Sequence, residues 1–156
     1  MGLKGKTQAF KILRGEGEEA KLEAFNIELD EGMVVLDCVH RIQHEQQPDL
    51  AVRWTCKAGK CGSCSAEING RPRLMCMTRM SDVVEETPEG QPIEIRPMKA
   101  FPHVKDLVTD VQWNYDVAQR IKPIKGPEKM DWEFNQMEAD RVQQFRECIE
   151  CFLCVN

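Results

Sequence analysis

The spacing of four cysteines in one short stretch constrains this chain more than any other feature. In the segment CKAGKCGSCSAEINGRPRLMC the gaps are four, two and eleven residues, and the cysteines are Cys56, Cys61, Cys64 and Cys76. Gly59 and Gly62 separate the first three, and glycine allows the positive φ angles that a tight loop requires. Three sulfurs this close together must surround one compact object, and the fourth arrives after the chain has doubled back.

The pattern C-x4-C-x2-C followed by a distant cysteine is the plant-type arrangement for a [2Fe–2S] cluster. Structural zinc is the alternative explanation, and its usual pattern consists of two C-x2-C pairs. Here the leading gap is four residues and the last cysteine stands alone. The spacing therefore favours a [2Fe–2S] cluster, with zinc as the competing hypothesis.

A second group, CIECFLC, has the spacing C-x2-C-x2-C and contains Cys148, Cys151 and Cys154. This is the start of the run C-x2-C-x2-C-x3-C-P of bacterial [4Fe–4S] proteins, in which the fourth cysteine binds a different cluster. The sequence stops at Asn156, so we expect the closing ligand to lie outside residues 1–156. Three buried structural cysteines are the alternative explanation.

Seven of the eight cysteines belong to these two groups. The N-terminal stretch MGLKGKTQAF lacks the apolar core of a secretory signal, so we expect a reducing cytoplasmic setting. In such a setting grouped thiols bind metals rather than form disulfides. The eighth, Cys38, lies at the edge of an apolar helix stripe and is predicted to be a core thiol.

The overall charge limits the classes of partner that this chain can bind. The formal net charge is -5, from 26 acidic and 21 basic residues, which argues against nucleic acid. No apolar run is long enough to span a bilayer.

Alternating apolar residues and turn signals predict a small β-grasp domain that ends near residue 97. Strands are expected over residues 7–13, 22–29, 51–54, 65–68, 71–75 and 92–96. Asn69-Gly70 is a strong hairpin signal, and an apolar stripe that begins at Val35 and ends before Pro48 predicts one helix.

Past that point the pattern predicts helices over residues 105–121 and 137–151. We place the boundary between residues 97 and 102, with domains at 1–100 and 101–156. The predicted fold class is α+β, in which a β-grasp, plant-type ferredoxin domain precedes the start of an α-helical, bacterial-ferredoxin-like domain.

Three stretches, RWTCKAGKCGSC with its return at LMC, FPHVKDLVTD and FRECIECFLC, resemble the iron–sulfur subunits of succinate dehydrogenases and fumarate reductases. The resemblance implies a [2Fe–2S] cluster on Cys56, Cys61, Cys64 and Cys76. It implies a [4Fe–4S] cluster on Cys148, Cys151 and Cys154, with its fourth ligand from a later cysteine run. It also implies a [3Fe–4S] cluster in the full-length protein, whose ligands lie outside this segment.

The same resemblance implies a function in electron relay. Electrons would pass from the FAD of a flavoprotein subunit through the clusters towards quinone in a membrane anchor, which also carries haem. The chain would sit peripherally on the cytoplasmic face of the membrane, and no residue of its own would act on succinate. Fumarate reductase working in the reverse direction and a free ferredoxin-like carrier are the alternatives.

The sequence also predicts the surroundings of several residues outside the two cysteine groups. His40 and His44 are expected on a solvated helix face, and His103 in a structural role. Trp113 and Tyr115 are expected to pack between helices. Arg53 and Trp54 precede Cys56 and are expected to face the flavoprotein.

Charge near the first cysteine group predicts its reduction potential. Four cations outnumber the single acid, Glu67, in this stretch, and they are Lys57, Lys60, Arg71 and Arg73. Because positive charge favours the more negative, reduced cluster, we predict a potential well above the plant-type value of about −400 mV.

Overall fold

The computed structural model describes residues 2–122 and 135–156. Its main sheet has five strands, which are β1 (Thr7–Arg14), β2 (Lys21–Glu28), β3 (Ser65–Ile68), β4 (Arg71–Leu74) and β5 (Ile93–Arg96). Their order across the sheet is β2-β1-β5-β3-β4. β1 and β5 are parallel, and the other neighbouring pairs are antiparallel. Helices α1 (Val35–Glu45) and α2 (Met80–Glu86) accompany this sheet.

Alternation along β1 places its apolar residues on one face of the sheet. Phe10 and Ile12 are two residues apart, so they point to the same side, and both are fully buried. They lie opposite Ile93 and Ile95 of β5. The buried side chains of α1 join the same core, and they are Val35, Leu36, Cys38, Val39 and Ile42. The predicted strands at 7–13 and 22–29 and the predicted helix are confirmed.

The β3–β4 hairpin returns the chain to the first cysteine group. Asn69 and Gly70 have φ angles of 49° and 74°, as a two-residue type I′ turn requires. Ser65 lies opposite Leu74, so the chain is back at the start of β3 just before Cys76. The hairpin predicted from Asn69-Gly70 is confirmed.

Residues 51–54 do not form the predicted strand. The backbone N–H of Ala51 donates to Asp106 Oδ2 at 2.7 Å, and its carbonyl accepts from Leu107 N at 3.2 Å. These bonds tie the segment to a turn instead of a neighbouring strand. Helix α2 was not predicted; it buries Met80 and Val83.

A hairpin occupies part of the segment predicted to be helical over 105–121. It consists of β6 (His103–Lys105) and β7 (Val108–Thr109), and Asp106 in its turn has a φ of 50°, outside the α-helical region. Helix α3 (Gln112–Arg120) therefore begins only after the hairpin. Helix α4 (Gln136–Arg146) ends before the predicted residue 151, and Glu150 beyond it has a φ of 54°, outside the α-helical region.

The β6–β7 hairpin packs against the sheet unit. Leu107 belongs to the core cluster and is only 6% exposed. The mixed α+β class is confirmed, whereas the identity of a second, ferredoxin-like domain and the division at residue 100 stay predictions. Within residues 2–122 and 135–156, no helix has the length and apolar character needed to cross a membrane.

Candidate metal centre

The loop that precedes β3 turns sharply around the first three cysteines. Lys57, Gly59 and Gly62 have φ angles of 52°, 62° and 67°. Residues with side chains rarely adopt this left-handed region, so two glycines here lower the cost of the turns. The loop can therefore direct its cysteine side chains to one side within nine residues.

The four thiols of the first group come together as two neighbouring pairs. The side chains of Cys56 and Cys61 are neighbours, and so are those of Cys64 and Cys76. Cys61 lies close enough to Cys64 for their charges to interact. The first pair is half-buried and the second is buried. The structure thus brings together all four cysteines that the spacing singled out.

Backbone N–H groups point at two of these sulfurs. Ala58 N and Lys60 N donate to Cys56 Sγ at 3.3 Å and 3.4 Å. Cys76 N donates to Cys64 Sγ at 3.4 Å. Such bonds stabilise a thiolate relative to a thiol, and bonds of this kind help to set the potential of an iron–sulfur cluster.

The middle two thiols, Cys61 and Cys64, differ in acidity. Hydrogen bonds from Ser63 and then from Cys56 lower the pKa of the Cys61 thiol to about 6. Burial raises the pKa of the Cys64 thiol to about 12, although the hydrogen bond from the Cys76 backbone N–H acts in the opposite direction. The buried thiol needs a cation beside it to lose its proton, and a coordinating metal deprotonates such a thiol outright.

The paired arrangement fits a two-iron group. Four cysteine thiolates hold a [2Fe–2S] cluster, whereas structural zinc draws its four ligands to one point. The four thiols stand as two adjacent pairs, with N–H donors on a sulfur of each pair. This donor set is the one that the sequence spacing predicts.

The second cysteine group follows α4 in an irregular loop. Glu150 and Phe152 have φ angles of 54° and 59°, so the chain turns on either side of Cys151. Cys151 is half-buried, whereas Cys148 and Cys154 are exposed. The helix predicted over residues 137–151 therefore does not extend to these cysteines, and the alternative of three buried cysteines is wrong.

This loop lies directly on the first cysteine loop. Ser65 Oγ donates a hydrogen bond to the Cys151 carbonyl oxygen at 2.8 Å. A Cβ added to Gly62 would meet Cys151 Cα at 2.6 Å, so the two backbones are in close contact. The two cysteine groups are neighbours in space, which no local sequence pattern indicates.

Two more contacts hold the second loop. The Phe152 ring packs near the rings of Phe101 and Tyr115, with centroids 5.7 Å and 6.3 Å away. Asn156 Nδ2 donates to Glu67 Oε1 at 2.7 Å. Tyr115 thus packs on a loop and not on a second helix, and Trp113 is 69% exposed, so the predicted packing of these two side chains between helices is wrong.

Three of the four cations near the first group have acidic partners. Lys57 Nζ lies 3.7 Å from Asp37 Oδ1. Arg71 and Arg73 both contact Glu86, at 3.7 Å and 2.7 Å. The excess of positive charge counted in the sequence is therefore largely balanced by acids from α1 and α2.

The histidines differ in their exposure and in their contacts. His44 is exposed, as predicted, but His40 is half-buried, and its ring packs edge-on against Trp54 with centroids 4.7 Å apart. The prediction of a solvated face is therefore wrong for His40. His103 Nε2 lies 3.0 Å from the Asp106 carbonyl oxygen, which agrees with a structural role.

Cys38 and the pair before Cys56 lie in opposite surroundings, one in the core and the other at the surface. Cys38 is fully buried in α1, and burial raises the pKa of its thiol to about 12, so its prediction as a core thiol is confirmed. Arg53 and Trp54 are exposed beside the first cysteine loop.

A family profile described as "2Fe-2S iron-sulfur cluster binding domain" matches residues 9–116, a range that contains the whole first cysteine group. The chain belongs to this family. It is the first of the two cysteine groups that carries the match, and the second lies outside the matched range.

Relatives of this 2Fe-2S domain protein have more specific names. It is 33% identical over 143 residues to a fumarate reductase iron-sulfur subunit of Mycobacterium tuberculosis, a match that covers 86% of this chain and 55% of that relative. It is 31% identical over 153 residues to a succinate dehydrogenase iron-sulfur subunit of Paracoccus denitrificans, covering 93% of this chain and 57% of that one. The chain thus spans little more than half the length of these curated relatives. The predicted resemblance is confirmed.

A solved structure is similar over almost the whole 2Fe-2S domain protein. A chain of the Mycobacterium smegmatis Sdh1 complex in the apo form matches with a TM-score of 0.89 and 48% identity. The match covers 97% of this chain and 63% of that chain. The similarity therefore extends over all but a small part of this chain.

Proposed function

We propose that Cys56, Cys61, Cys64 and Cys76 ligate one [2Fe–2S] cluster. The support is the pairing of their thiols, the N–H groups directed at their sulfurs, and the family match. We further propose that Cys148, Cys151 and Cys154 ligate a [4Fe–4S] cluster, with a fourth ligand outside residues 1–156. The spacing C-x2-C-x2-C supports this second assignment.

We propose that the chain relays electrons as part of a membrane-bound succinate:quinone oxidoreductase. The observation that carries this function is the direct contact between Gly62 and Cys151, because it places two candidate cluster sites side by side in one chain. When bound, such clusters accept and release single electrons, and the protein supplies their position and surroundings. A free carrier with one [2Fe–2S] cluster has no need of the second cysteine loop.

The two cysteine groups meet on one side of the first loop. Cys61, Gly62 and Ser65 line the same cavity as Cys151 and Phe152, so electrons would leave the first group for the second on this side. In this proposal no side chain of the described segments acts on succinate.

The names of the relatives support the partners that we propose. These are an FAD-containing flavoprotein subunit and membrane anchor subunits with quinone and haem. The chain would then lie peripherally on the cytoplasmic face of the cell membrane, and a [3Fe–4S] cluster would belong to the full-length protein. Fumarate reduction is the same relay run in reverse. Domains at 1–100 and 101–156 are part of this proposal.

Purification of the full-length protein with its partners from membranes tests this function. We expect a flavoprotein to co-purify, and we expect succinate to reduce a cluster with the electron paramagnetic resonance (EPR) signal of [2Fe–2S]. A protein that purifies alone, carries iron and ignores succinate is a free carrier. Zinc in place of iron at the first cysteine group contradicts the cluster assignment itself.

A further inference from the structure

The segment with the second cysteine group rests on the loop that carries the first. A Cβ added to Gly62 would lie 2.6 Å from Cys151 Cα, 2.9 Å from Cys151 Cβ and 3.0 Å from Cys151 N. Atoms that are not bonded cannot approach so closely, so only glycine allows this contact. Gly62 lies between Cys61 and Cys64, and Cys151 is the middle cysteine of the second group.

Ser65 joins the same two segments by hydrogen bonding. Its Oγ lies 2.8 Å from the carbonyl oxygen of Gly62 and 2.8 Å from that of Cys151. A hydroxyl has one proton, so these two carbonyls share a single donor. Ser65 is also the first residue of β3, so the sheet fixes the position of this donor.

Other contacts of the second loop lie away from Gly62. Phe152 packs near Phe101 and Tyr115, and Asn156 binds Glu67. These contacts keep the segment on the domain when the Gly62 contact is disturbed. A change at Gly62 or Ser65 is therefore expected to shift Cys151 without detaching the loop.

We propose that Gly62 and Ser65 are positioning residues that set the electronic coupling between the two cysteine groups, and that electrons cross at the Gly62–Cys151 contact. The inference rests on the proposed function, since both groups must hold clusters. Transfer of one electron from the reduced first cluster to the oxidised second breaks no bond and moves no proton. Its rate therefore depends on the separation of the two groups and on the contacts that bridge them.

A matched pair of glycine variants separates this role from backbone strain. Gly62→Ala and Gly59→Ala each place an alanine at a left-handed position in the same loop, with φ angles of +67° and +62°. At Gly59 the added Cβ meets only the Met77 side chain, at 2.9 Å from Cγ, and this flexible side chain can move. Gly62→Ala alone pushes against the Cys151 backbone.

A second pair of variants, at Ser65, tests the same contact without placing a new side chain at a left-handed φ. Ser65→Ala removes the donor that the Gly62 and Cys151 carbonyls share, and Ser65→Thr retains a hydroxyl at the same place. This pair keeps the inference testable if Gly62→Ala fails to assemble.

The measurement is the magnetic interaction between the two clusters in the fully reduced, full-length complex, seen by EPR as broadening and faster relaxation of the [2Fe–2S] signal. We expect Gly62→Ala and Ser65→Ala to weaken this interaction, whereas Gly59→Ala and Ser65→Thr retain it in full. Hydrogen–deuterium exchange of residues 148–156 should rise in the first two variants only. The exchange experiment reports the contact itself and does not depend on turnover.

The outcomes distinguish this inference from the function on which it rests. A wild-type complex with both signals, whose interaction is unchanged in Gly62→Ala and Ser65→Ala, overturns the inference and leaves the relay intact. An equally weakened interaction in Gly59→Ala and Gly62→Ala also overturns the inference, because backbone strain in the loop would then explain the change by itself. A wild-type complex that lacks one of the two clusters overturns the proposed function, and the inference with it.

Discussion

Arg14 at the end of β1 forms a buried ion pair with Asp106 in the turn between β6 and β7. The Asp106 side chain is 1% exposed and also accepts hydrogen bonds from Gly15 N and Ala51 N, each at 2.7 Å. One carboxylate thus joins the sheet, the segment that leads into the first cysteine loop, and the hairpin before α3. The same Arg14 also contacts Asp49 at 2.7 Å, near the surface.

Asp106→Asn should lower the free energy of unfolding by about 3–5 kcal/mol, because it leaves the Arg14 charge buried without its main partner. Asp49→Asn is the matched control. It removes a partner of the same guanidinium, but the Asp49 side chain is 65% exposed, so solvent screening makes the loss small. Urea titration of both variants measures the difference, and equal losses would show that burial of Asp106 contributes nothing.

Cys64→Ser should abolish the [2Fe–2S] signal and lower the iron content by about two atoms per chain, since four thiolates hold the cluster. Cys38→Ala is the matched control, because Cys38 is equally buried but lies in the core of α1. It should keep the full iron content and lower stability by only about 1 kcal/mol for the lost apolar contact. Iron analysis with EPR decides this, and loss of the cluster in Cys38→Ala would contradict the ligand assignment.

Local features of the fold could be predicted from the sequence. Asn69-Gly70 specifies a turn by its own backbone preferences, and Phe10 and Ile12 mark the buried face of a strand by their spacing. The first cysteine group is local in the same sense. Three of its members lie within nine residues, so the spacing itself limits what they can surround.

Features that depend on distant partners could not be predicted. Asp106 interrupts an apparent helix because its carboxylate is drawn to Arg14, and their separation in sequence is 92 residues. The Ser65–Cys151 bond spans 86 residues. His40 lies among polar residues of a predicted helix, and only the tertiary fold brings the Trp54 ring against it. Each of these is a tertiary contact without a local signal.

Acid should destabilise the protein through His40. Burial, followed by the charge of Lys57, lowers the pKa of His40 from its ordinary value of 6.5, and Asp37 acts in the opposite direction. The unfolded chain therefore binds this proton more readily, so the contribution is present above about 6.5 and is lost as the pH falls through the folded value. Urea midpoints at about pH 7.5 and pH 5.5 measure the loss.

His40→Gln should remove this part of the pH dependence. His44→Gln, an exposed change one turn further along the same helix, should retain it. A pH dependence that is unchanged in His40→Gln would show that other groups account for the acid sensitivity.

Lys60→Gln should lower the reduction potential of the [2Fe–2S] cluster by an amount on the order of tens of millivolts, because nearby positive charge favours the more negative, reduced form. Lys60 belongs to the ligand loop, where its N–H donates to Cys56 Sγ at 3.4 Å. In the described part of the chain, no acidic side chain lies within 4.0 Å of its ammonium group, unlike Lys57 and its partner Asp37.

Arg71→Gln is the matched control for this potential. Arg71 lies five residues before Cys76, largely along β4. β4 separates Arg71 from Leu74 by three residues, or about 10 Å at roughly 3.3 Å per residue, which exceeds the Debye length of about 8 Å at physiological ionic strength. Redox titration followed by EPR should therefore show a lower potential for Lys60→Gln and almost no change for Arg71→Gln.

Unchanged potentials in both variants would mean that the N–H···S bonds at Cys56 and Cys64, together with burial, set the reduction potential. A wild-type potential near about −400 mV would contradict the relay, since succinate could not then reduce the cluster.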